Sequence, residues 1–246
     1  MPDDIDGYHR ARIAALYDPL EGERTDLEVY VDIVHEFGAR RVLDVGCGTG
    51  TFALMLVNKG IRVTGVDPDE DAIGVARHKP DADAVEWIVS DAAGLPPTGA
   101  AMVTMTANVA QCFVTDEEWA AALDGIRNAL LPGGYLVFES RRPEARAWDE
   151  WTPENTAVEG DIDDIGHVEI WQEVLDVTGR LVAFRTSYQF EDTLVGVDTT
   201  LRWRTEEELR VSLAIAGFET IDVRDAPDRP GREFVFIARL AEEADY

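Results

Sequence analysis

The chain is short of bases, of cysteine and of histidine, and each shortage removes a class of function. Across 246 residues, 22 lysines and arginines face 49 acids, a net charge of −27 at neutral pH. A field of that sign repels phosphate backbones, so DNA, bulk RNA and anionic membranes are not expected as partners. The surplus acid itself reads as a solvated surface of the kind that tolerates salt. The two cysteines, Cys47 and Cys112, stand in no metal-like or redox-like spacing, and no disulfide framework is expected. Four histidines, His9, His35, His78 and His167, lack spaced partners and make no metal site. No run approaches the roughly eighteen apolar residues of a membrane span. The opening Met1-Pro2-Asp3-Asp4 carries neither the basic nor the apolar region of a signal peptide. The expected compartment is the cytoplasm.

What is present is a 46% apolar content, ordinary for a globular chain and enough at this length for a sizeable core. One stretch organises the rest: Arg41-Val42-Leu43-Asp44-Val45-Gly46-Cys47-Gly48-Thr49-Gly50-Thr51. Arg41–Val45 is short, β-branched and apolar, the signature of a buried strand. It runs into three glycines in five residues, then into the helical pattern Phe52, Leu54, Met55 and Leu56, which ends at Gly60. A strand, a tight turn and a helix N-terminus bring unpaired N–H groups close to any ligand. The common dinucleotide fingerprint G-x-G-x-x-G would need a third glycine at position 51, which is Thr51.

Around that stretch the chain alternates. A short helix is expected over residues 5–20. A second opens at the capping box Thr25-x-x-Glu28 and carries Leu27, Tyr30, Val31 and Val34 at helical spacing. A strand over 61–66 ends in Asp67-Pro68, seventeen residues after Gly50. There an acid can take both hydroxyls of a ribose; the alternative is a cap for the helix over 69–79. A third strand, 84–89, ends in Ser90-Asp91-Ala92, and a fourth, 101–105, ends in Thr106-Ala107-Asn108-Val109-Ala110-Gln111. Ligands sit at the carboxyl ends of parallel strands. Asn108 and Gln111 are therefore candidates for facing a substrate, with local turn bonds as the alternative. Thr115-x-x-Glu118 caps the next helix, and Leu131-Pro132-Gly133-Gly134 breaks the chain before a fifth strand over 135–138.

Residues 141–204 leave the alternation. Three alternating runs, 167–175, Leu181–Phe190 and 197–204, read as an inserted three-stranded antiparallel sheet. Thr205-x-x-Glu208 caps a last helix, and 218–223 with 233–238 form a terminal antiparallel pair. The expected fold is α/β: a doubly wound, mostly parallel seven-stranded sheet from residues 1–140 and 205–246, with 141–204 as an inserted subdomain. His167 in the insert and His9 in the first helix could reach a site, the alternative for each being a solvated or hydrogen-bonded histidine, while His35 and His78 fall on outer helices. Arg141, Arg142, Arg202 and Arg204 suit a carboxylate or phosphate clamp, or pairing with acids such as Glu139 and Asp198. Trp148, Trp151, Trp171 and Trp203 suit a pocket wall or plain core.

The spacing G-x-G-x-G, with Asp44 two residues before it, resembles motif I of the class I S-adenosylmethionine (SAM) dependent methyltransferases. Leu-Pro-Gly-Gly-Tyr-Leu-Val-Phe-Glu at 131–139 is similar to the same family. The resemblance implies a Rossmann-like methyltransferase fold, with Asp44, Gly46, Cys47, Gly48, Gly50 and Thr51 against the methionine part of the cofactor. It implies Asp67 and Pro68 at the ribose, Asp91 and Ala92 at the adenine, and Thr106 beside the cofactor. Tyr17-Asp18 and the insert resemble the small-molecule branch, in which the N-terminal helix and insert cover the site and the tyrosine touches the cofactor. Implied are methyl transfer to an N, O or C acceptor on a small molecule, SAM as cofactor, and a monomer or homodimer. His167 (as a candidate base), Asn108 and Gln111 are the candidate substrate-facing residues, from their places in the chain. The competing readings are a nicotinamide oxidoreductase, which Thr51 disfavours, and a non-catalytic SAM-binding protein. Neither an Asn-Pro-Pro-Tyr signature nor a Pro-Cys pair occurs, which argues against methylation of nucleic-acid bases.

Overall fold

The structure, a computed structural model, describes residues 7–241. The start of the first expected helix and the acidic tail, residues 1–6 and 242–246, lie outside the described residues. In chain order the elements are α1 (Gly7–Ala14), α2 (Tyr17–Glu21), α3 (Glu28–Glu36), β1 (Arg41–Val45), α4 (Thr51–Asn58), β2 (Arg62–Asp67), α5 (Glu70–Arg77), β3 (Val85–Val89), β4 (Ala100–Met105), α6 (Asp116–Ala129) and β5 (Leu130–Arg141). There follow α7 (Pro153–Thr156), β6 (Val158–Ile162), β7 (Gly166–Thr178), β8 (Leu181–Phe190), β9 (Leu194–Arg202), α8 (Glu206–Ile215), β10 (Phe218–Asp225) and β11 (Glu233–Leu240).

Seven strands form one sheet in the order β10-β11-β5-β4-β1-β2-β3. Strands β1 to β5 pair in parallel, and β11 runs antiparallel to both its neighbours. The inner strands are buried on both faces, as a parallel sheet demands. One face packs Tyr30 and Val34 of α3 with Phe52 and Leu56 of α4. The other packs Trp119, Leu123 and Ile126 of α6 with Leu209 and Leu213 of α8. Both α6 and α8 begin at the capping boxes expected from sequence, Thr115 with Glu118 and Thr205 with Glu208. Strand order reverses between β1 and β4, so their carboxyl ends diverge and leave a crevice.

Four local expectations are corrected. The inserted sheet has four strands, β6-β7-β8-β9, because 158–162 pairs antiparallel with β7. The helix expected over 5–20 divides at Ala15-Leu16: proline tolerates only the first turn of a helix, and a restart at Tyr17 places Pro19 there. Thr25 does not cap α3 but enters a tight 3-10 turn, in which Arg24 Nη2 holds Asp26 Oδ2 at 2.8 Å. The fifth strand starts earlier than the Pro-Gly-Gly break implied. Leu130 already pairs with Ala100, and 131–134 bulge before Tyr135 meets Met102.

One face of the four-stranded sheet aligns Ile170 with Tyr188, Gln172 with Thr186, and Val197 with Thr186 on its other side. Ile13 and Leu16 of the N-terminal helices pack on the Tyr188 and Val197 end of it. Trp148 and Trp203 pack on the Phe184 and Leu201 end. The middle of that face is left open, over the carboxyl ends of the seven-stranded sheet.

Candidate functional site

The turn after β1 is built by glycine at all three positions. Gly46 and Gly50 have φ of +72° and +82°, and a Cβ there would collide with Val109 and Trp87 at 2.4 and 2.3 Å. Gly48, φ +52°, faces open space. Its N–H donates to Asp67 Oδ2 at 2.8 Å, tying the turn to the tip of β2. A cleft of about 290 Å³ opens here, lined by Asp44, Gly46, Cys47, Gly48, Thr49, Thr51, Asp67, Thr106 and Tyr17. Eight of the twelve expected cofactor residues thus meet in one place. Among them Cys47 is buried, and its thiol is pushed up by burial and then by Asp44 and Asp67.

Three of the remaining four stand elsewhere. Pro68 lines a neighbouring chamber rather than the cleft. Asp91 is exposed on the loop after β3, accepts the Gly94 N–H at 2.7 Å and does not line the cleft. Ala92 is buried in the core beneath α6. Gly50, the fourth, supplies the N-cap position of α4.

Asp44 is the least comfortable group in the cleft. Its Oδ1 accepts from Thr104 Oγ1 at 2.9 Å. Its Oδ2 is buried without a hydrogen-bond partner. Burial pushes its pKa up to about 7, the Thr104 bond opposes the rise, and the charge of Asp67 adds to it. Burial also raises Asp67, against the N–H groups of Asp69 and Gly48 that its two oxygens accept. Helix α5 is capped by Asp69, whose Oδ1 accepts from Asp71 and Ala72, so Asp67 is not spent as its cap.

Above the cleft, α2 is latched to the turn. Asp18 accepts from Thr49 Oγ1 at 2.8 Å and Thr51 Oγ1 at 3.2 Å, and pairs with Lys79 Nζ at 2.6 Å. Asp18 is marked in the sequence only beside Tyr17, and no spacing links it to Lys79, which is unmarked. Arg24, paired with Asp26, also lines the cleft and went unmarked for the same reason.

Beyond the cleft lies a chamber of about 900 Å³, between α1, α2, the open face of the four-stranded sheet and the tips of β2, β4 and β5. Tyr17, Asp67, Asp69 and Ala107 line both cavities. The turn at their junction is unusual, since Ala107 and Asn108 both have positive φ, +53° and +61°. Such backbone is costly for a residue with a Cβ and persists only where the surroundings hold it. Glu139 Oε1 does so, accepting the Asn108 N–H at 2.9 Å, while Oε2 accepts from Tyr30. Asn108 Nδ2 donates to Glu233 Oε1 at 3.2 Å, and its Oδ1 is buried without a partner.

Gln111 is fully buried and does not line the chamber. Its Oε1 accepts from Arg141 Nη1 at 3.0 Å, and Arg141 is the residue that reaches the chamber. His167 is half exposed on β7, 3.1 Å from Asp161, and lines neither cavity. The same is true of His9, His35 and His78. Arg142 pairs with Asp225 and Arg204 with Asp116. Trp148, Trp151 and Trp203 pack with one another and with Phe184 as core. No cluster of potential metal ligands occurs among the described residues. A third groove, lined by Arg41, Arg62 and Glu86, lies at the amino ends of the strands, away from this chemistry.

Residues 42–134 match the family described as "Methyltransferase domain". The chain is 29% identical over 165 residues to a glycine N-methyltransferase of Oryctolagus cuniculus, covering 57% of this chain and 55% of that protein. It therefore spans about half the length of that relative. It is 28% identical over 206 residues to a cypemycin N-terminal methyltransferase of Streptomyces, covering 80% of each. In fold it is similar to an S-adenosylmethionine-dependent methyltransferase of Clostridium acetobutylicum, with a TM-score of 0.74 at 15% identity, over 96% of this chain and all of the other.

Proposed function

We propose that this chain, whose residues 42–134 match a methyltransferase domain, is a class I, SAM-dependent methyltransferase that moves the methyl group of SAM to a small molecule held in the chamber. In this reading 1–140 with 205–246 binds the cofactor, 141–204 covers the acceptor, and the enzyme works in the cytoplasm. The observation that carries it is Asp44: a carboxylate that lines the cleft, has one oxygen buried without a partner, and stands beside a glycine with open space over it. A cation suits that oxygen and a pyrophosphate does not, which favours SAM over a nicotinamide dinucleotide.

The other residues fit the same ligand. Asp67 spends one bond on each oxygen. A carboxylate has about four acceptor positions, which leaves two for the hydroxyls of a ribose. The shared lining of Tyr17 and Ala107 supports a methyl crossing at that junction. Bound there, SAM would supply an electrophilic methyl for the lone pair of an acceptor. The chain's part is to hold the acceptor and exclude water. Among the described residues no histidine lines the chamber. We therefore favour a neutral amine acceptor, which needs no base at the moment of attack, over a hydroxyl.

The test is calorimetric titration with SAM, its demethylated product and NADH. SAM and its product are expected to bind and NADH is not. Asp67→Ala is expected to cost roughly 1–3 kcal/mol of SAM affinity through lost hydroxyl acceptors. Gly48→Val fills the open space over the turn and is expected to abolish binding. NADH binding alone, or normal SAM binding by a folded Gly48→Val protein, refutes the reading.

A further inference from the structure

Two features of the chamber have no use in cofactor binding: a half-buried cation at its floor and an extended apolar wall opposite. We infer that the acceptor is an amphipathic anion, with a carboxylate-like end at Arg141 and a bulky apolar body against the inserted sheet. This rests on the methyltransferase reading and narrows its substrate class.

The floor comes first. Arg141, at the end of β5, has its guanidinium positioned by Gln111 Oε1 at 3.0 Å, with Trp151 and Trp203 rings 5.5 and 6.0 Å from it. Among the described residues the acid paired with it is Glu233, at a long 3.6 Å. That carboxylate is already engaged by Arg229 at 2.9 Å and Asn108 Nδ2 at 3.2 Å. The other acid beneath the floor, Glu139, is raised by burial and by Glu233, which moves it toward its neutral form. Arg229 has Asp228 as well, at 3.3 Å, so it is Arg141 whose counter-charge is loosely held, and an anion from the chamber completes its set. Arginine's planar fork suits a carboxylate in two-point contact. In a chain of charge −27, an inward-facing arginine with a loosely held partner is out of keeping with the surface pattern, where arginines such as Arg185 and Arg224 pair closely with acids.

The wall comes second. Ile13, Leu16, Ile170, Phe184, Val197 and Leu201 line the chamber from the N-terminal helices and from three strands of the insert. Gln172, Thr186, Asp198, Thr199 and Thr200 interrupt them, and Asp198 is paired with Arg185 at 2.6 Å. A volume of about 900 Å³ lies near the top of the range that encloses drug-sized ligands. An acceptor as small as glycine would leave most of that apolar surface facing water, whereas a body reaching from Arg141 to Ile170 would remove it.

The test uses the full chain saturated with demethylated SAM. It is titrated with acetate, hexanoate, 4-phenylbutyrate and 4-phenylbutyramide, and followed by tryptophan fluorescence and calorimetry. The acid series is expected to tighten at least tenfold from acetate to 4-phenylbutyrate, and the amide to bind at least tenfold more weakly than its acid. Arg141→Gln should erase the acid-to-amide difference. Arg141→Lys, which keeps the charge over the buried Glu233, should retain part of it. Ile170→Thr, at a partly exposed wall position, should flatten the chain-length dependence and leave acetate unchanged. Equal binding of acid and amide in the native protein, or no gain from acetate to 4-phenylbutyrate, overturns the inference. The demethylated-SAM titration that precedes each run reports separately: if it fails while the chain-length series holds, the methyltransferase reading falls and the amphipathic site stands.

Discussion

If Asp44 meets the sulfonium-bearing ligand as proposed, folding and ligand binding pull on it in opposite directions. A carboxyl group buried on β1 with one oxygen unpaired and a pKa near 7 takes up a proton on folding. Its folded pKa lies above its unfolded value. The native state therefore binds more protons between about pH 4 and pH 7, and stability falls across that window and levels off above it. Asp44→Asn keeps an oxygen for Thr104 Oγ1 and removes the charge. Three pKa units correspond to about 4 kcal/mol, an upper bound because the ligand-free cleft admits water. The ligand-free variant is therefore expected to be more stable than the native protein by roughly 2–4 kcal/mol at pH 8, with the difference closing toward pH 5. SAM affinity should behave in the opposite sense. In the native protein it should rise with pH up to about 7, because a cationic ligand selects the ionised carboxylate. In the variant it should be weaker and nearly flat. Thermal unfolding and SAM calorimetry at pH 5, 6, 7 and 8 read both curves. A variant less stable at pH 8 would mean that Asp44 is not a strained acid at all.

At the scale of elements, the proposed reading makes the N-terminal helices a cover held by few bonds. Helix α2 meets the glycine turn through Asp18, which gathers Lys79 Nζ and the hydroxyls of Thr49 and Thr51. Lys79 and Asp18 keep side-chain exposures of 18% and 32%, so the pair is screened and of the order of 0.2–1 kcal/mol. Asp18→Asn should accordingly speed SAM dissociation by about two- to fivefold in stopped flow, with the core unchanged; an unaltered rate in a folded variant would show that α2 does not gate the cleft. This latch also marks where the sequence stops being readable. Elements with a strong period and a local start signal, such as β1 with its glycines or α6 and α8 with their Thr-x-x-Glu boxes, could be placed residue by residue. Asp18 and Lys79 could not be paired, because 61 positions separate them; Asp18 stands out only beside Tyr17 in the family resemblance, and nothing local marks Lys79. The strand 158–162 was hidden for a related reason. Val-Glu-Gly-Asp-Ile alternates weakly, and what makes it a strand is pairing with β7. Gln111 looked like a site residue from its place after β4, yet it lies one layer deeper and orients Arg141. Sequence spacing placed its backbone correctly, but burial by β5 decided what its side chain touches.

At the scale of the whole molecule, charge is the dominant constraint. With 49 acids against 22 bases, many carboxylates must stand without a cation. The described ion pairs are largely exposed ones such as Arg146–Asp149 and Arg210–Glu206, and such pairs are each worth little. Mutual repulsion of the remaining acids opposes the compact state and relaxes in the expanded chain. Salt shortens the range of that repulsion, from about 30 Å at 0.01 M to about 3 Å at 1 M. It weakens the surface pairs too, but the unpaired acids outnumber them, so repulsion wins. The expected result is a melting temperature that rises between 0.01 M and 1 M KCl. A net relief of about 2 kcal/mol would move it by roughly 4–8 °C for a chain of this size. Buried features should not follow the same curve: the Asp44 cleft and the Arg141 floor lie inside, where screening is weak. Stability and ligand affinity should therefore separate, the first climbing with salt and SAM affinity changing little, when both are measured in the same buffers at pH 8. A melting temperature that falls with salt would mean that the surface pairs outweigh the repulsion, and the acidic surface would then be a stabilising network.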